Sequence, residues 1–314
     1  MRGDLEALAR AYDEKGWVCV PDLFSPADVA GMRSGIERMV EGASRRLLSD
    51  GLVESAHASE RFGRRMMALI EEAGSEAVMS RLKDLDDGGV FGIAKAHGPE
   101  ADEAERPIYE MVTHPDTLDI LEALMGPTIS YSYKGIMRAR LPDDTEDSRN
   151  AKPFPYHQDS QYFDLALPES RAGGKHMDSD SRPVTYAGQP VSTENLHIVT
   201  VWAPLVDTDA TNGALTLVPG SHRWGQLDGQ RDDDGNMQAY HRPERARVEG
   251  APHVVEDCPA GGAIFFNNLV FHGSGPNRSN AVRWSLDWRY DAGAEGSGPA
   301  SQGGTPAAKA AVEW

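Results

Sequence analysis

The chain has 314 residues and a mass of 34.1 kDa, long enough for one elaborated β-domain or two small ones; one is favoured. Its formal net charge of −18, with no segregated basic patch, argues against nucleic acid or an anionic membrane as a partner. The opening Met1-Arg2-Gly3-Asp4-Leu5-Glu6 lacks the basic start and apolar core of a leader, and no long apolar run occurs, so the cytoplasm is the expected compartment.

The first expected helix begins at Ser25-Pro26-Ala27-Asp28, where an N-cap hydroxyl, a proline at the first helical position and an acid at the third fall together. Val29, Met32, Ile36, Met39, Val40 and Leu47 then recur at helical spacing, which implies one buried face. Phe62, Met66, Leu69 and Ile70 predict a second helix, interrupted near Gly74. A third should stop at Gly126-Pro127.

From Ile129 onward, strand-like segments take over, separated by Gly, Pro, Asn and Asp. They cover residues 129–141, 156–163, 196–205, 214–218, 253–258, 262–270 and 282–290. The fold class expected is mainly β with a helical buttress around a double-stranded β-helix, the jelly-roll or cupin-like core. The expected organisation is a single domain over 1–291, helical in 1–127 and β-helical in 128–291, followed by a flexible tail over 292–314 rich in Gly, Ala, Ser and Pro. Three long polar segments, 143–155, 164–195 and 228–250, are too long for ordinary connections and read as lids, binding loops or disordered stretches, at least one of them expected to be mobile without substrate. Cys19 and Cys258 form no Cys-x-x-Cys pair and are expected to be thiols.

The residues that speak of chemistry are His157-Gln158-Asp159 and, 113 positions after Asp159, His272. Two imidazoles and one carboxylate form the ligand set that holds a non-haem ferrous ion on one face and leaves the other open. On a strand or its end, His157 and Asp159 share a face while Gln158 points away. The apolar stretch Ile264 to Phe271 reads as a buried strand running into a turn at His272. Eleven positions on, Arg283-Trp284-Ser285-Leu286-Asp287-Trp288 alternates as a strand with one covered face. Arg283 and Ser285 lie on one side, a fork and a hydroxyl suited to a carboxylate.

These blocks, together with Tyr12-Asp13-Glu14-Lys15-Gly16-Trp17-Val18, Trp202-Ala203-Pro204-Leu205, Asn212-Gly213-Ala214-Leu215 and Val218-Pro219-Gly220-Ser221-His222, resemble the phytanoyl-CoA dioxygenase-like family of Fe(II)/2-oxoglutarate oxygenases. The resemblance implies that His157, Asp159 and His272 bind Fe(II) and form the catalytic centre. It also implies that Arg283 and Ser285 hold the distal carboxylate of 2-oxoglutarate, that Trp202 lines that pocket, and that O2 is the second co-substrate. Related halogenases carry a small residue at the position of Asp159, so the carboxylate here points to hydroxylation or desaturation. Between Asp159 and Trp202 the chain is longer than the family pattern, and the extra segment 164–195 is expected to shape the substrate site.

For the substrate, Tyr162 and Phe163 are candidates for the pocket lining, and Arg138 and Arg140 for anchoring an anionic group of a small organic molecule. No nucleic-acid or membrane partner is expected, and the oligomeric state is left open. The competing reading is a cupin-like barrel that binds a metal or ligand without oxygen chemistry; such a protein has no need of Arg283-x-Ser285 beside the metal.

Overall fold

The computed structural model describes residues 2–83, 110–127, 129–146, 150–162, 198–225 and 242–292, with short strand pairings at 185–186, 189–190, 229–230, 239–240 and 305–306. The expected lid segment 164–195 lies largely outside these residues, as do most of the tail and Phe163, whereas the segment 228–250, expected as a loop, ends in a helix over 242–250.

Helices come first, as the spacing predicts. A helix over Arg2–Lys15 (α1) leads into strand β1 (Trp17–Val20), and α2 (Pro26–Ser49) follows. The start of α2 is the expected capping box: Ser25 Oγ accepts from the Asp28 N–H at 3.3 Å, while Asp28 Oδ2 accepts from the Ser25 N–H at 2.8 Å. Its buried stripe, Val29, Met32, Ile36, Val40, Ala43 and Leu47, recurs every three to four residues. The second predicted helix is broken at Gly74 into α3 (Arg64–Ala73) and α4 (Ser75–Lys83), and α5 (Pro115–Met125) stops at Gly126. Sequence reading did not pick out α1, although Leu5, Leu8 and Tyr12 pack on the core at helical spacing.

The strands form two antiparallel sheets. The larger is built from β1, β2 (Ile129–Arg140), β4 (Ile198–Pro204), β7 (Ala263–Asn267) and β9 (Arg283–Ala292), in the order β1-β7-β4-β9-β2, with Thr305–Pro306 paired to the outer edge of β2. The smaller is built from β3 (Phe154–His157), β5 (Leu215–Leu217), β6 (Val254–Glu256) and β8 (His272–Ser274), in the order β6-β5-β8-β3. One further helix, α6 (Arg242–Gly250), precedes β6.

Alternation along the strands of the larger sheet sorts two cores. Val199, Val201, Ala203, Phe265, Trp284, Leu286, Trp288 and Tyr290 face the helices and join Met32, Ile36, Leu69 and Leu121. Trp17, Trp202, Ile264 and Phe266 face the other way, against Leu215 and Leu217 of the smaller sheet. Burial of each such side chain contributes about 1.5–3 kcal/mol, so two covered faces on one sheet explain why β4 is buried at every position. The polar residues of β9 then fall on the face between the sheets.

Two expectations at the site need correction. The strand expected through 156–163 ends at His157, and Asp159 begins a short 3-10 turn, Asp159–Tyr162. The strand expected to run toward His272 ends at Asn267; the turn comes before His272, which opens a new strand in the smaller sheet. The physical reason is the polar pair Asn267-Asn268: Asn267 Oδ1 accepts from the Leu269 N–H at 2.9 Å, and Val270 N–H bonds back to Asn267 O, closing a turn that the apolar neighbours conceal. Cys19 and Cys258 are both free thiols. No helix among the described residues is long and apolar enough to cross a membrane.

Candidate active site

His157 closes β3 and His272 opens β8, and the two are register partners in the smaller sheet. Their rings stand 4.2 Å apart, centre to centre. Between them the ladder slips, because Ser274 pairs with Phe154, which leaves an extra residue on β3 around Pro155. Pro155 has no N–H to lose from the ladder, and its carbonyl accepts from His157 Nδ1 at 3.0 Å. His272 Nδ1 makes the equivalent bond to Val270 O at 3.0 Å. A carbonyl can only accept, so Nδ1 of each ring carries the proton and Nε2 of the neutral ring offers a lone pair.

Both lone pairs point at Asp159. His157 Nε2 lies 3.5 Å and His272 Nε2 3.6 Å from Asp159 Oδ1. All three side chains are buried, and one ligand atom from each lies within 4.8 Å of the others. Oδ1 is enclosed and accepts no hydrogen bond. Burial pushes the His272 imidazole down to about 3, so it is neutral. Burial would raise the Asp159 carboxyl, but the Arg289 guanidinium outweighs it and holds the group well below the usual carboxylate range. The unshared Asp159 Oδ1 and the two imidazole nitrogens that face it form a donor set that a cation would satisfy. Ligands at right angles about 2.1 Å from one ion stand about 3 Å apart, so a small inward shift suffices to bind it. The donor set fits iron.

Gln158 points away from this centre, as expected, and ties the turn down: its Nε2 donates to Gly225 O at 2.9 Å and to Leu269 O at 2.8 Å. Phe154 sets its edge against His157 at 4.8 Å, and Phe266 covers His272 at 4.4 Å.

The inner face of β9 presents Arg283, Ser285, Asp287 and Arg289 in alternation. Arg283 is 3% exposed; its Nη1 donates to Ser285 Oγ at 2.5 Å, its Nε has no partner, and its Cζ lies 5.4 Å from the Trp202 ring. The structure thus brings Arg283, Ser285 and Trp202 together. Arg140 is the register partner of Arg283, and Arg138 that of Ser285. Arg140 is also buried; it gives Nη1 to Asn150 O at 3.2 Å and has Asp143 Oδ1 3.5 Å from Nη2. Burial first, and then the charges of Arg140 and Arg138, push Arg283 down to about 9. Charge is disfavoured there until an anion arrives, and a dicarboxylate fits the requirement.

Arg138 is partly exposed, lies over the Phe154 ring at 5.4 Å and donates from Nε to Asp287 Oδ2 at 2.5 Å. Tyr162 ends the 3-10 turn after Asp159, and the position of its side chain, like Phe163, falls outside the described residues. Sequence reading missed Thr200 and Arg289, which hold Asp159 from the larger sheet. Arg289 could have been placed on the inner face by its period-two offset from Arg283 and Ser285, but nothing local names its partner.

Two imidazoles and a carboxylate on the inner walls of paired antiparallel sheets, beside a buried arginine, make a donor set that could hold a metal ion with room for an anionic ligand next to it. The family model for phytanoyl-CoA dioxygenase (PhyH) matches residues 12–285, and the chain belongs to that family. It is 22% identical over 283 residues to the peroxisomal phytanoyl-CoA dioxygenase of Bos taurus and 23% identical over 287 residues to that of Rattus norvegicus, in each case across 89% of this chain. The chain spans 66% of the length of these relatives. Among solved structures, the fold is similar to the epimerase SnoN in complex with Fe3+, alpha ketoglutarate and nogalamycin RO. That match has a TM-score of 0.53 and 22% identity, covering 92% of this chain and 84% of that one. It is also similar to EctD from S. alaskensis with 2-oxoglutarate and 5-hydroxyectoine, with a TM-score of 0.53 and 14% identity, covering 93% and 80% of the two chains.

Proposed function

We propose that the chain is a dioxygenase that hydroxylates or desaturates a small organic molecule while 2-oxoglutarate is converted to succinate and CO2. The observation that carries this reading is the unshared Asp159 Oδ1 facing two imidazole lone pairs, with the anion-seeking Arg283 in the same inter-sheet space. The two sheets form a double-stranded β-helix within a single domain that takes in residues 1–291. His157, Asp159 and His272 hold Fe(II), which supplies the oxidising chemistry when bound with O2. Arg283, Ser285 and Trp202 seat the distal carboxylate of 2-oxoglutarate.

Arg140 lies beside Arg283 with Nε free of hydrogen bonds and Nη2 facing only Asp143 at 3.5 Å, and we assign it to the same carboxylate rather than to the substrate. Arg138 keeps its place as a substrate-facing candidate because it is partly exposed and lies over the Phe154 ring. The protein's own work is positioning: β9 fixes the co-substrate, β3 and β8 fix the imidazoles, and the apolar rings of Phe154 and Phe266 keep water off them. A cytoplasmic location, and action without nucleic-acid or membrane partners, belong to the same reading.

The test is anaerobic addition of Fe(II) and 2-oxoglutarate, which should raise a weak visible charge-transfer band, followed by admission of air and measurement of succinate. Candidate substrates are then screened by mass spectrometry for gain of one oxygen atom or loss of two hydrogens. A protein that binds Fe(II) but gives neither band nor succinate is the metal-binding barrel instead.

A further inference from the structure

The two oxygens of Asp159 are treated differently. Oδ2 accepts from Thr200 Oγ1 at 2.7 Å and from Arg289 Nε at 3.1 Å and Nη2 at 2.9 Å, whereas Oδ1 accepts nothing and faces the imidazoles. Thr200 and Arg289 are register partners on β4 and β9, so a single rung of the larger sheet supplies all three donors. Arg289 is held in turn by Asp287 Oδ1 at 2.6 Å, and Asp287 Oδ2 accepts from Arg138 at 2.5 Å. Asp159, Thr200, Asp287 and Arg289 are all buried, so this arrangement is fixed by packing as well as by charge. Carboxylates take metal ions through one oxygen or two. Three donors on one oxygen engage its lone pairs and draw charge from it, and they remove it from that competition.

We propose that Arg289 and Thr200 are positioning residues that restrict Asp159 to one-oxygen ligation, and so keep one coordination position free for dioxygen. The inference rests on the iron reading above. In an octahedral ion the two imidazoles, one carboxylate oxygen and two atoms of 2-oxoglutarate leave a single position, which a second carboxylate oxygen would fill. Arg289 never touches the reacting atoms; it acts through Asp159.

Nitric oxide tests this without turnover, since it occupies the dioxygen position of a ferrous centre and gives an adduct visible by electron paramagnetic resonance. The wild-type protein loaded anaerobically with Fe(II) and 2-oxoglutarate should show both the visible band and the adduct. Arg289→Met/Thr200→Val should keep the band and weaken the adduct by about tenfold or more, whereas Arg289→Lys, which retains a cationic donor, should restore most of it. Because loss of Arg289 takes one of the two guanidinium partners from Asp287, near-ultraviolet circular dichroism checks the fold. Arg289→Met/Asp287→Asn, which removes the buried Asp287 charge together with its partner, should weaken the adduct likewise. An undiminished adduct in folded variants that keep the band overturns this inference alone; a wild-type protein without the band overturns the iron reading with it.

Discussion

Asp159 and Arg283 mark the two ends of what single residues decide in this site. Replacing Asp159 by Ala removes the one anionic ligand and leaves Arg289 facing an empty space, so binding of Co(II) or Fe(II), followed by titration, should collapse and succinate formation should cease. Replacing Arg283 by Leu leaves the metal ligands alone. It should raise the KM for 2-oxoglutarate about thirtyfold or more, the equivalent of about 2 kcal/mol for losing a buried charged partner, with Fe(II) affinity unchanged. His157, Asp159, His272, Arg283 and Ser285 were legible in the sequence because their types and order are unusual together. Arg289 and Thr200 were not: a lone arginine or threonine on a strand reads as surface, and only the register of β4 on β9 makes them neighbours of Asp159.

At the scale of elements, the imidazole pair depends on how closely β3 lies against β8. A Cβ on Gly273 would sit 2.7 Å from Phe154 O and 3.3 Å from the Pro155 carbonyl carbon, so the absence of a side chain next to His272 lets the slipped strand approach. Gly273→Ala should therefore cost about 1–3 kcal/mol of stability from overpacking and also lower metal affinity, because the strand that gives way carries His157. Thermal unfolding and Co(II) titration measure the two effects; lost stability with unchanged affinity would separate the glycine from the site. The caps and stripe of α2 were legible because they are local. The strand boundaries near Asn267 and His157 were not, because apolar runs carry no mark of where one sheet is left for the other.

For the whole molecule, the ligand set joins the two sheets: both imidazoles belong to the smaller one, while Asp159 is gripped by Thr200 and Arg289 of the larger. A bound divalent ion should then stabilise the fold itself, by about 2.7 kcal/mol at a hundredfold excess over Kd. Differential scanning calorimetry with Mn(II) or Co(II) should show the melting temperature rise by several degrees, with no rise for Asp159→Ala. The β-rich class and the helical buttress were legible from punctuation and periodicity. The pairing order of the strands was not, since it depends on contacts between residues as distant as Trp17 and Phe266.

Strand β9 carries a constraint of a different kind. Its odd-numbered side chains furnish the pocket and its even-numbered ones, Trp284, Leu286, Trp288 and Tyr290, anchor the helices. Losing or gaining one amino acid there would turn indoles into the cavity and guanidinium groups into the oil. The length of that stretch is therefore as constrained as its letters, and diversification by insertion has to happen elsewhere in the polypeptide.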